Sequence, residues 1–214
     1  SKAKPSQADS SVFRVLSYNV RVFNVYSHLQ DKDSASSKAM INWVAEHEAE
    51  IKCLQELYND DSSVVFSTLR RISRQGKYNY FLTPVPHQNK NKGGYFGLAI
   101  FSKYPIIHSG ELNISQSKGN RFLFIDTVIG KDTLRVYNVH LQSMSIDEQR
   151  LLRDESYQEA KNTYRDLARR LYKGFQQRAV QIEALEQHIE ASPYPVIVCG
   201  DLNDLPYSYT YRRL

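Results

Sequence analysis

The stretch that most constrains this chain is residues 196 to 204, Val-Ile-Val-Cys-Gly-Asp-Leu-Asn-Asp. Its apolar, mostly β-branched start predicts a buried strand. Gly200 stops that strand in this reading, and Asp201 and Asn203 follow at alternate positions. An extended chain then presents both on one face, at a strand end that opens into a loop. A carboxylate and an amide beside a glycine that permits close backbone approach suit a phosphate or metal site. The same residues also fit a plain strand followed by an Asx-rich turn. The choice between the two readings has to come from the rest of the chain.

A length of 214 residues supports one large core, read as a single domain over 12–214 behind a polar stretch, 1–11, expected to be a disordered tail or an expression remnant. No apolar run approaches the ~18 residues of a membrane helix, and no signal-peptide pattern is present. The net charge of +5, from 28 Lys and Arg against 23 Asp and Glu, suits an anionic partner mildly. It lacks the dense basic blocks of a dedicated nucleic-acid binder. Cys53 and Cys199 each sit in an apolar strand pattern and read as buried free thiols. No Cys and His spacing suggests a zinc site.

Along the chain, Val12 to Val20 predicts a strand interrupted near its end by Asn19. A helical pattern follows, with Met40, Trp43, Val44 and His47 on one face; His47 reads as a boundary residue. Ile51 to Leu57 predicts a second strand, ending on Gln55 and Glu56. Asp60, Asp61 and Ser62 are expected to cap a helix that carries Val64, Val65, Leu69 and Ile72 and closes at Gly76. Strands are predicted at Tyr78 to Val85 and Phe96 to Ser102, separated by a loop, 87–94. A hairpin pairs Arg121 to Ile129 with Leu134 to Gln142 around 130–133, and its second strand puts Asn138 and His140 on one face. Ile146 to Ala191 is helical and charged, with Gly174 expected to divide it. Phe175, Ala179, Ile182, Leu185 and Ile189 form the buried stripe of its second half.

Asn19, Glu56, Asn138 with His140, and Asp201 with Asn203 thus each sit where an apolar strand runs out. The blocks Leu-Ser-Tyr-Asn-Val, Cys-Leu-Gln-Glu, Gly-Leu-Ala-Ile-Phe-Ser-Lys-Tyr-Pro-Ile, Tyr-Asn-Val-His-Leu and Gly-Asp-Leu-Asn-Asp occur in this order. Together they resemble the endonuclease/exonuclease/phosphatase superfamily, the DNase I-like group, over about residues 12 to 214. The resemblance implies an α+β fold, a four-layer α/β/β/α sandwich with the site at one end of the two sheets. It implies metal-dependent hydrolysis of a phosphodiester or phosphomonoester, with Mg²⁺, or Mn²⁺, as cofactor. In that reading Glu56 is the principal metal ligand and Asn19 orients the ion's water shell or touches the ion. Asp201 orients or deprotonates the attacking water, and Asn203 holds that water or a phosphate oxygen. His140 donates as an imidazolium to charge developing on the phosphoryl oxygens, with Asn138 supporting it.

One departure from the family pattern is plain. The chain carries no Ser-Asp-His tripeptide, which in the family ends a last strand. The expectation is therefore a C-terminally incomplete fold that is weakly active or inactive alone. The substrate stays open between nucleic acid, phospholipid and inositol phosphate, and no protein partner is expected. The rival function is a binding or scaffold module that keeps the fold without the reaction. Similarity to bacterial members that carry membrane helices ahead of this domain adds the expectation of an extracytoplasmic, membrane-tethered parent.

Overall fold

A computed structural model describes residues 12–31, 34–85, 94–112, 122–141 and 157–214. The tail 1–11, residues 87–93 of the predicted loop, the hairpin ends Arg121 and Gln142, and the 146–156 start of the predicted helical segment lie outside the described residues. Eight strands form two sheets. In the first, β1 (Val15–Asn19), β2 (Ile51–Asp60), β4 (Gly94–Ser102) and β3 (Asn79–Val85) lie side by side in that order, β1 parallel to β2 and the other pairs antiparallel. In the second the order is β5 (Ile106–Leu112), β6 (Phe122–Ile129), β7 (Asp132–His140) and β8 (Val196–Asp201), with β8 parallel to β7. Each sheet thus has one parallel pair at one margin.

Side-chain alternation explains the layering. Cys53, Leu98, Ile100, Leu123, Ile125 and Val136 turn inward and fill the space between the sheets. The intervening residues face outward and need cover. On the first sheet it comes from α1 (Val25–Asp31), α2 (Ala35–Glu46) and α3 (Thr68–Gly76), whose Val25, Ile41, Val44, Leu69 and Ile72 join Leu54, Leu57 and Phe101. On the second, Ile182 and Leu185 of α4 (Tyr157–Glu190) pack on Phe122, Tyr137 and Val139. A short α5 (Tyr209–Arg213) follows β8. The order of layers is helix, sheet, sheet, helix, as the resemblance implied.

Several elements differ from their sequence reading. β2 does not end at Glu56 but continues to Asp60 through a bulge. Asp60 and Ser62 cap no helix: Ser62 donates its backbone N–H and its hydroxyl to Asp60 Oδ1, forming a turn. The start of α3 is held instead by Asn59, whose Oδ1 accepts from Leu69 N at 2.9 Å. That cap comes from a neighbouring strand, so local sequence could not show it. The left-handed residue that closes α3 is Lys77, not Gly76. Gly174 does not divide α4, which runs unbroken past it. The stripe on α4 also shifts: Phe175 is half exposed, while Arg178 and Gln181 are buried. Ile106–Leu112 was not anticipated as a strand. The hairpin is tighter than expected, because Ile129 pairs directly with Asp132 across Gly130 and Lys131.

Under α4, Arg135 donates from Nε and Nη2 to both oxygens of Asp126, at 2.7 and 2.8 Å, with both side chains buried. Removing one partner strands the other charge in low dielectric. Asp126→Ala is expected to cost about 3–5 kcal/mol of stability by urea unfolding, far more than any exposed carboxylate of the same chain.

Lys52 is buried beneath α2 and donates to the carbonyl oxygens of Val44 and Ala45, the free end of that helix. Burial, and secondarily the charge of Lys103, lower its pKa to about 8 from 10.5. A base with a depressed folded-state pKa releases its proton earlier in the native protein than in the unfolded chain. Its contribution to stability therefore rises with pH between about 8 and 10.5. The stability of the wild type relative to Lys52→Met, from unfolding titrations at pH 7.5 and pH 10, should shift in favour of the wild type at the higher pH.

Candidate active site

Four of the polar strand ends meet where β1 and β2 of one sheet face β7 and β8 of the other. At the end of β1, Asn19 donates from Nδ2 to Glu56 Oε1 at 2.9 Å and to Asp201 Oδ2 at 3.0 Å. One amide nitrogen is thus shared by two carboxylates that belong to different sheets. The other end of the same carboxamide accepts from Arg21 N at 3.0 Å. The chain then leaves through Arg21–Asn24, four residues with positive φ, a costly conformation for non-glycine residues. Phe23, buried in the helix-side core, anchors that turn.

Glu56 reaches this point because β2 is bulged. Leu54 pairs with Ala99 and Leu57 with Gly97, so one residue is extra on β2, and Glu56 takes it up with φ of 52°. Strict alternation would turn Glu56 to the helix side; the left-handed kink re-aims it to the seam between the sheets. There His140, at the end of β7, places Nε2 3.6 Å from Glu56 Oε1.

Asp201 ends β8. Its backbone oxygen accepts from Leu141 N, and its Oδ1 accepts from Asn203 N at 2.9 Å. Two sequence expectations are corrected here. Gly200 does not stop the strand but lies within it, because β8 passes so close to β7 that a Cβ at Gly200 would meet Val139 O at 2.0 Å. Nor does the chain stay extended to Asn203, whose φ is 48°. The segment is an Asx turn, and Asn203 Nδ2 donates to Leu141 O at 2.8 Å instead of lying parallel to Asp201. The Asx-turn reading of this stretch holds, and the turn leaves Asp201 as a polar group at a strand end.

Asn138 lies deeper and is fully buried. Its Nδ2 donates to Leu54 O and Ala99 O, both at 2.9 Å, and its Oδ1 accepts from Gln55 Nε2 at 2.7 Å. Among the described residues it makes no hydrogen bond to His140; it supports the site from beneath by tying the sheets together. Gln55 was not singled out from the sequence, although its place directly before Glu56 was the available signal.

Asp204 was missed as well. Its Oδ1 accepts from Leu205 N and its Oδ2 from Thr210 Oγ1 at 2.7 Å, with buried Arg178 of α4 3.5 Å away. Burial alone would raise its pKa, but these hydrogen bonds, one from Ser208 and the Arg178 charge hold it below the usual carboxylate range. Asp204 thereby pins the turn behind Asp201 to α4 and α5. The cleft here, about 490 Å³, is lined by polar Asn19, Asp201 and Asn203 together with Tyr18, Leu205 and Tyr211.

Among the described residues, no Lys or Arg forms an ion pair with Glu56 or Asp201. Two carboxylates held together by an amide, with no fixed cation, are a hard oxygen donor set that fits a divalent cation. Among the same residues, no three His, Cys, Asp or Glu side chains form a complete cage. Water and substrate oxygens would have to complete the coordination.

Fold and site together define a two-sheet sandwich with an acidic, amide-bridged centre at one end. The chain belongs to the Endonuclease/Exonuclease/phosphatase family, whose model matches residues 16–214. Among solved structures it is similar to a humanized D. rerio TDP2 at 17% identity and a TM-score of 0.56, covering 91% of this chain and 63% of that one. The human Nocturnin catalytic domain with bound sulfate matches at 16% identity and a TM-score of 0.52, covering 94% and 68%. Sphingomyelinase C from Streptomyces griseocarneus matches at 15% identity and a TM-score of 0.58, also covering 94% and 68%. The chain thus spans about two-thirds of the length of these structures. At such identities the likeness is one of fold. No curated protein sequence matches.

The close approach at Gly200 gives a direct check. Gly200→Ala should push the end of β8 from β7 and displace Asp201, lowering Tm by several degrees and increasing hydrogen exchange at Leu141 N, which bonds to Asp201.

Proposed function

We propose that this chain is the core of a metal-dependent phosphoesterase that hydrolyses a phosphate ester by attack of water on phosphorus. The observation that carries the reading is the Asn19 amide shared between Glu56 and Asp201. A purely structural contact would have no need to gather two carboxylates from different sheets around one neutral donor, since their repulsion destabilises the fold unless a cation joins them.

Glu56 would hold a divalent ion, Mg²⁺ or Mn²⁺, with the Asn19 carboxamide beside it orienting the ion's water shell or touching the ion. When bound, that ion polarises a phosphoryl oxygen and stabilises the leaving oxygen. Asp201, fixed through Oδ1 by the Asn203 N–H, keeps Oδ2 toward the centre, where it orients the attacking water and accepts its proton. Asn203 uses one N–H on Leu141 O, and the rest of its carboxamide holds the water or a phosphate oxygen. His140, held beside the Glu56 carboxylate, donates a proton-bearing nitrogen to the oxygens on which charge develops. Asn138 keeps the two halves in register. Similarity in fold to TDP2, Nocturnin and a sphingomyelinase supports a phosphate ester as substrate and leaves nucleic acid, phospholipid and inositol phosphate in competition.

The test is turnover of an aryl phosphodiester and an aryl phosphomonoester by the full-length protein, with and without Mg²⁺. Mg²⁺-dependent hydrolysis is expected. His140→Ala should lower it by about a hundredfold, and Glu56→Ala should lower it at least as much while weakening Mn²⁺ binding. A protein that binds the ion yet turns over neither these esters nor the natural polymers and lipids would be the scaffold instead.

A further inference from the structure

Between Asp61 and Glu111 the sequence contains no acidic residue at all, yet it carries Arg70, Arg71, Arg74, Lys77, Lys90, Lys92 and Lys103. These seven positive charges exceed the whole chain's net +5, so the remainder is net acidic. The described part of this segment builds α3, the edge strand β3 and β4 beside it in the first sheet, and the start of β5 in the second; α3 itself packs on α2 and β2.

On α3 the division is sharp. Thr68, Leu69 and Ile72 are buried against the sheet, while Arg70, Arg71, Arg74 and the closing Lys77 are exposed. At 100° per residue the three arginines fall within an arc of about 100° on the side away from the core. Among the described residues none of the four lies within ion-pair distance of a carboxylate. Exposed apolar side chains flank them in the sequence. Val64, in the turn leading into α3, is 94% exposed, and Tyr80, at the start of β3, is 46% exposed. Tyr80 packs on Phe101 of the helix-side core, the same core that Leu69 and Ile72 of α3 enter, so ring and helix share one face of the sheet.

We propose that this face docks on an anionic lipid bilayer. Guanidinium groups pair with lipid phosphates and carboxylates, and each basic residue at such a surface adds to the attraction. The flanking Val64 and Tyr80 decide between polyanions: a bilayer interface has a place for a tyrosine ring and an aliphatic side chain, whereas the backbone of a nucleic acid has none for the valine. The surface is separate from the cleft. It does not depend on the hydrolytic reading.

The test is flotation of the full-length protein with vesicles of phosphatidylcholine alone and with vesicles containing about one-third phosphatidylserine. Binding to the anionic vesicles only, weakened at about 0.5 M salt, is expected. The variant Arg70→Gln/Arg71→Gln/Arg74→Gln should bind on the order of a hundredfold more weakly with an unchanged thermal melt. Lys131→Gln/Arg165→Gln/Lys173→Gln removes the same charge from exposed positions on the second sheet's side and should leave binding largely intact. Equal loss in both variants, equal binding to neutral vesicles, or no vesicle binding would overturn the proposal. So would binding of duplex DNA through these arginines in place of vesicles.

Discussion

The fully buried carboxamide of Asn138 is the contact on which the geometry of the site depends. It sits on β7 of one sheet, yet all three of its hydrogen-bond partners, Leu54 O, Ala99 O and Gln55 Nε2, belong to the other. Apolar packing between sheets is non-directional and would tolerate a small slide. A buried amide is not tolerant in this way, because each unmatched group costs about 1–3 kcal/mol. Asn138 therefore fixes the offset between the sheets within hydrogen-bonding precision. It does so one residue from Glu56 on β2 and two from His140 on β7.

With that offset set, the centre assembles by small departures from regular strand geometry. A one-residue bulge turns Glu56 from the helix side to the seam, an Asx turn holds Asp201, and a left-handed turn after Asn19 supplies a backbone N–H to orient its amide. Each departure carries conformational strain, and each is held by a neighbour that is buried or hydrogen-bonded: Leu57, Leu141 and Phe23. Rigid strands thereby deliver four polar side chains to one point, with loops left to shape the cleft around it.

The charge arrangement follows the same division. The centre is acidic and lacks a paired Lys or Arg among the described residues, while α3, in the acid-free segment of the chain, turns three arginines outward. In the readings proposed above, the first region holds a cation and the second meets an anionic surface, and the two do not overlap.

The elements and the list of polar strand ends were legible in the sequence because both rest on local pattern. Alternation and apolar runs gave seven of the eight strands in whole or part, and a polar residue at the end of an apolar run is visible wherever it occurs. What could not be read was the aim of each side chain. The bulge at Glu56, the tight approach at Gly200, the cap that Asn59 gives to α3 and the clamp from Arg178 through Asp204 to Thr210 all join residues of different elements, which no local pattern links. Gly174 looked like a break because an isolated glycine weakens a helix, but packing against the second sheet outweighs about 1 kcal/mol of propensity. Local chemistry determined which residues are available to a site. Only tertiary packing, through the desolvation cost of every misplaced buried polar group, decided which of them face one another.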